Sequence, residues 1–87
     1  MHEFFLSIWK KRVHMSEVSG ERLSSPPSSA YFHHILTKQK FPEAAFDEEN
    51  IILLTMDEHA SVHLNMEKYE KINNQRDYLH KKYTIFV

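Results

Sequence analysis

Four histidines and one asparagine stand in an order that could assemble a hydrolytic metal centre: His33 and His34 are adjacent, Asn50 follows after fifteen residues, and His59 and His63 after eight more. Such a centre needs a divalent ion, a base beside it to activate water, and a small polar group to hold that base, and the side chains here are of those types. His59 and His63 are spaced i, i+4, so on a helix their rings project from one face and can converge on one ion. Two surface histidines at that spacing are common, and the pair gains weight only from further ligands.

The surrounding sequence supplies elements to position them. Thr55 is a good N-cap, Glu58 is its capping-box partner three residues on, and Asp57 adds charge to the first turn, so a helix starts just before the His59/His63 pair. Residues Ala30-Tyr31-Phe32-His33-His34-Ile35-Leu36 follow a Pro/Ser loop and are rich in aromatic and aliphatic side chains, which predicts a short strand. Neighbours in a strand face opposite ways, so one of His33 and His34 can ligate while the other faces a substrate; for an isolated pair, one buried and one solvated histidine is the plainer reading. The apolar run Ile51-Ile52-Leu53-Leu54 predicts a second strand leading into the capped helix, with Asn50 in the turn that enters it. A lone asparagine there means turn chemistry first, so Asn50 matters through the combination.

The ordered set His33-His34, Asn50, His59-x-x-x-His63 resembles the HNH, or His-Me finger, family of ββα-metal nucleases, in the double-histidine form of colicin DNases. The flanks Phe32-His33-His34-Ile35-Leu36-Thr37-Lys38, Phe41-Pro42-Glu43 and Glu49-Asn50-Ile51-Ile52-Leu53-Leu54-Thr55 are similar to the small stand-alone HNH proteins of phages and prophages. The resemblance runs from Ser16 to His63, over half the chain. It implies an α+β fold with a ββα-metal core over residues 16–63, and a metal-dependent endonuclease that hydrolyses DNA by nicking or weakly specific cleavage, leaving 5′-phosphate and 3′-hydroxyl ends. By the same resemblance His33, His59 and His63 are metal ligands, His34 is the general base, and Asn50 orients His34. A neutral imidazole titrating near ~6.5 suits the base role, and an asparagine carbonyl against its other nitrogen would fix the tautomer.

The chain departs from many relatives in one respect: where they place a Cys-x-x-Cys pair, it has Ser16-Glu17-Val18-Ser19-Gly20, and it holds no cysteine at all. A thiolate zinc knuckle and a disulfide framework are therefore excluded. Three imidazoles without a carboxylate favour zinc or nickel, whereas magnesium prefers oxygen; zinc, nickel, magnesium and manganese are the divalent ions to consider as cofactor. The other class of function open to this pattern is a non-catalytic, metal-stabilised finger that binds protein or DNA, and RNA is open as an alternative substrate.

At 87 residues the chain is one small domain, near the size where a hydrophobic core alone is marginal, although 13% aromatic residues offer large burial per side chain. Phe4, Phe5, Ile8 and Trp9 form a helical stripe that Lys10-Lys11-Arg12 closes, giving an N-terminal helix within residues 1–15. Met66, Tyr69, Ile72, Arg76, Leu79 and Tyr83 recur every three to four residues, so a helix is expected from Leu64 to about Tyr83, with Asn73-Asn74 as its weak point, followed by a β-prone tail at residues 84–87.

The net charge is −1, but it is unevenly spread: residues 1–40 carry six Lys/Arg and three Asp/Glu (+3), residues 41–70 one and eight (−7), and residues 71–87 four and one (+3). DNA is expected to approach over the basic ends, with Lys38 and Lys40 as phosphate contacts, and solvated surface lysine as their plainer reading. With no signal peptide and no apolar stretch long enough to span a bilayer, the expected location is cytoplasmic with no membrane partner, leaving room for a protein partner or a homodimer.

Overall fold

In the computed structural model, which describes residues 1–65 and 68–84, helix α1 spans His2–Lys11, strand β1 Phe32–His34, strand β2 Ile51–Leu53, helix α2 Met56–Leu64 and helix α3 Glu70–Thr84. The chain is thus an α+β fold of three helices and one two-stranded antiparallel sheet. No described helix is long and apolar enough to cross a membrane.

The sheet is short because side chains take over from its ladder. Phe32 pairs with Leu53, His33 with Ile52 and His34 with Ile51. The segment expected to be extended from Ala30 to Leu36 is a strand only in its middle. Before it, Ser28 caps a 3₁₀ turn at Ser29–Tyr31; after it, the Leu36 N–H finds the Asn50 side chain (2.7 Å) instead of a backbone carbonyl. Period-2 alternation then sorts the side chains by face. Ile51, Leu53 and Phe32 pack with Ile8 and Trp9 of α1, while Ile52 and Leu54 pack with Val62 of α2 and Ile72 and Leu79 of α3.

Helix α1 stops at Lys11, short of residue 15, because Arg12 turns into extended backbone and its guanidinium is held elsewhere. It donates to the carbonyls of Ile51 and Glu48 (2.6 Å each) and to the Glu17 carboxylate (2.8 Å). Glu17 in turn accepts from the Leu53 N–H (2.7 Å), so the segment after α1 covers the free edge of β2. Gly20, at φ 78°, makes the turn that returns the chain for the Met15–Arg22 bridge.

Helix α2 begins as its capping box requires: Thr55 accepts from the Glu58 N–H (3.1 Å), and the Glu58 carboxylate accepts from the Thr55 N–H (2.8 Å). The single helix expected from Leu64 to Tyr83 is instead two. Asn65 leaves helical geometry, Leu64 is 89% exposed, and α3 then runs unbroken through Asn73 and Asn74. An extended α2 would have carried Ile72 and Leu79 away into solvent; the break lets α3 fold back and bury them with Val62, with Tyr69, just before α3, partly buried against the same cluster. Met66 and the tail segment at 85–87 lie outside the described residues.

Asn50 is fully buried and satisfies its carboxamide completely on one loop. Its oxygen accepts from the Leu36 N–H, and its amide donates to the carbonyls of Leu36 (3.0 Å) and Ala44 (3.1 Å). Asn50→Ala would strand the buried N–H and carbonyl of Leu36 and take one of two donors from the Ala44 carbonyl, which keeps the Asp47 N–H, so it should lower the unfolding free energy by about 2–4 kcal/mol in urea titration. A loss below about 0.5 kcal/mol would show that the loop is held by something else.

Candidate metal centre

Strand β1 delivers its two histidines to opposite faces. His33, 4% exposed, points to the α2 side, where His59 and His63 lie one turn apart along the helix. The ring centroids are 4.9 Å (His33–His59), 5.5 Å (His33–His63) and 4.9 Å (His59–His63) apart, and one ligand nitrogen from each ring lies within 4.8 Å of the others. Tetrahedral coordination with metal–nitrogen bonds of about 2.0–2.1 Å sets nitrogens roughly 3.4 Å apart, within reach of small side-chain rotations.

Two of the three rings are poised for such a role. The His59 Nδ1–H donates to the Ala30 carbonyl (2.6 Å), which fixes the tautomer and leaves Nε2 as the lone-pair nitrogen. His33 Nε2 is buried without any hydrogen-bond partner, a state that costs about 1–3 kcal/mol unless a ligand meets it. Burial, reinforced by the neighbouring His59, His63, His34 and Arg76, lowers the His33 pKa to about 3, so this ring is neutral at physiological pH. A neutral, desolvated imidazole facing two others is a donor set suited to a borderline-soft divalent cation.

His34 faces α1, with its ring centroid 5.8 Å from that of Phe5. Its Nε2 lies 3.0 Å from the Ala45 carbonyl. A carbonyl can only accept, so in the neutral ring Nε2 carries the proton and Nδ1 carries the lone pair. Burial lowers its pKa, the Ala45 carbonyl partly offsets that, and the charges of Lys38 and His59 push it further down. His34 is thus held in a basic, uncharged form at neutral pH.

The Asn50 carboxamide bonds Leu36 and Ala44 where a direct hydrogen bond to His34 was expected. The next carbonyl along, that of Ala45, is the one that orients the imidazole. Residue types could not have named Ala45 or Ala30, because their contribution is a main-chain oxygen. Lys38 and Lys40 are exposed in the turn beyond β1 and form no ion pair among the described residues.

The basic ends are less available than the charge map suggested, because they close onto the acidic segment Asp47-Glu48-Glu49. Lys82 reaches Asp47 (2.6 Å) and Glu49 (2.8 Å), Lys11 reaches Glu48 (3.0 Å), and Tyr83 donates to Asp47. Burial alone would raise the Asp47 carboxyl, but the hydrogen bonds from Lys82 and Tyr83 outweigh it and hold that carboxyl below its ordinary range. Comparison with family models, with characterised proteins and with solved structures gives no match to this chain.

Two outcomes follow from the triad. With zinc in excess the melting temperature should rise by several degrees, and excess chelator should reverse it, because ligand binding to the native state alone adds directly to stability; an unchanged melt would remove the metal from the site. In metal-free protein the unfolded chain binds a proton at His33 near pH 6.5 while the folded chain refuses it down to about pH 3. Stability should therefore fall as pH drops through that window, by up to about 1.4 kcal/mol per unit, and His33→Ala should flatten the fall in urea titrations across pH.

Proposed function

We propose that this chain is a metal-dependent HNH-type endonuclease whose β1, β2 and α2 form a ββα-metal finger, and that it hydrolyses DNA phosphodiester bonds. The observation that carries the reading is the division of labour at β1: His33 joins His59 and His63 in a cation-ready triad, while His34 is held apart from them with a free basic nitrogen. His33, His59 and His63 would hold a divalent ion, which when bound acts as a Lewis acid on the phosphodiester and steadies the departing oxygen.

The chain's own residues do the rest. His34 Nδ1 takes a proton from the attacking water, and the Ala45 carbonyl, accepting from Nε2–H, stabilises the imidazolium that results. Asn50 keeps Ala45 in place by clamping the loop that precedes it. Lys38, which forms no ion pair among the described residues and is felt electrostatically at His34, and Lys40 in the same turn supply contacts to the DNA backbone. With only two such lysines beside the base, and Lys11 and Lys82 engaged by the acidic segment, affinity should be modest and sequence discrimination poor. A finger kept only for its structure would have no use for the tautomer lock on His34.

Nicking of supercoiled plasmid by the purified chain, tested with magnesium, manganese, nickel and zinc and quenched by chelator, decides the reading; no metal-dependent nicking would end it. His34→Ala should cut the rate by about 10²–10⁴-fold while zinc affinity stays within about threefold of wild type. Because the His34 pKa is lowered, the base is unprotonated at lower pH than an ordinary histidine, so the acidic limb of the rate profile should have its midpoint below pH 6.5.

A further inference from the structure

Helix α3 carries an arginine inside its apolar stripe. Ile72 and Leu79 are both fully buried, and Arg76, four residues after one and three before the other, shares their face, which packs against Val62 of α2 and Ile52 of β2. That is also the face toward which β1 directs His33, and the guanidinium is close enough for its charge to be felt there. Asn73, one turn earlier, accepts from Arg76 Nη1 (2.9 Å). The other two guanidinium nitrogens, Nε and Nη2, are shielded from solvent, and their N–H groups meet no acceptor among the described residues.

These two donors share one edge of the planar guanidinium, the edge whose parallel N–H bonds match two oxygens of a phosphate or carboxylate. Leaving them unpaired is destabilising, and packing alone would favour a hydrocarbon side chain at this position. The unmet groups of this region ask for opposite partners: His33 Nε2 for a cation, the Arg76 edge for an anion. A metal with a phosphate beside it satisfies both. Arg76 is half-buried as a residue, so rotation of its flexible stem can present the edge at the surface.

We propose that the Nε/Nη2 edge of Arg76 is a phosphate-binding subsite next to the histidine triad, gripping two oxygens of one phosphate. That this phosphate is the scissile one rests on the nuclease reading above; the subsite itself does not. It assigns to α3, outside the finger, a direct hold on the substrate.

The test follows the arginine itself. Inorganic phosphate is titrated into nitrogen-labelled protein carrying one equivalent of zinc, and the arginine Nε–H resonances are observed by NMR. The Arg76 resonance should move saturably while those of Arg12 and Arg22 stay. Arg76→Lys, which keeps the charge and loses the fork, should weaken phosphate binding at least about tenfold with zinc affinity unchanged, and should raise KM for plasmid more than it lowers kcat. Arg76→Met should abolish phosphate binding and raise the melting temperature. A melting temperature that falls in Arg76→Met marks a purely structural arginine and overturns the proposal, as does an Arg76 resonance that phosphate leaves still in the wild type. If that resonance moves saturably in a protein that nicks no plasmid with any metal, the subsite stands and the nuclease reading is what fails.

Discussion

A primary carboxamide taken out of water is destabilising by several kcal/mol unless its donors and acceptor are all met, and Asn50 meets them on backbone it does not share. It closes the loop between β1 and β2 as a further rung of the ladder would, but it does so from one side chain, so the sheet needs only three residues per strand. Three residues are enough to fix the pleat, and the pleat separates His33 from His34. If the loop relaxed, register at β1 would be held by few bonds, and a slip of one position would exchange the faces of the two histidines. The chemistry proposed for each depends on that separation. Asn50 thus supports the register that separates the two histidines, while its own hydrogen bonds go to the main chain of Leu36 and Ala44.

The acidic segment beside Asn50 has a similar place in the electrostatics. Asp47, Glu48 and Glu49 precede β2 at the point where the first and last helices converge, and Lys11, Lys82 and Tyr83 bind them there. Each exposed pair contributes little alone. Together they bring chain ends with opposite charge to the middle of the sequence into one place, and they draw positive charge away from any polyanion surface. What positive charge remains near the centre sits on Lys38, Lys40 and the buried fork of Arg76. Nucleic-acid binding by this chain would therefore be local to the site and would lack a broad basic platform.

Much of this was legible in the sequence where the signal was local. Thr55 and Glu58 announced the start of α2, the His59/His63 spacing put both rings on one face of it, and the apolar run Ile51-Ile52-Leu53-Leu54 announced β2 just before it. The features that escaped depend on main-chain atoms or on packing at a distance. The stripe from Tyr69 to Tyr83 has one period whether it belongs to one helix or two, and only the need to bury Ile72 and Leu79 against Val62 decides for two. The partner of His34 is a carbonyl, invisible to residue type. Asn50 was expected to hold the His34 ring directly, whereas its carboxamide bonds the main chain of Leu36 and Ala44, which residue type could not show.

The unmet polar groups are not scattered. Among the described residues the buried side-chain atoms without partners belong to His33 and Arg76 alone, and both lie on the α2/α3 face of the sheet. Elsewhere the chain satisfies even awkward groups, as Asn50, Glu17 and Arg12 show. A small domain with little stability to spare would be expected to lose such defects, since most stabilising substitutions at a site of this kind are simple apolar ones. Their concentration beside three convergent imidazoles fits a fold that is incomplete on its own and becomes complete when a cation and an anion enter together. On that view the same deficit that weakens the free protein supplies affinity for what it binds, because the desolvation of His33 and of the Arg76 edge has already been met in folding.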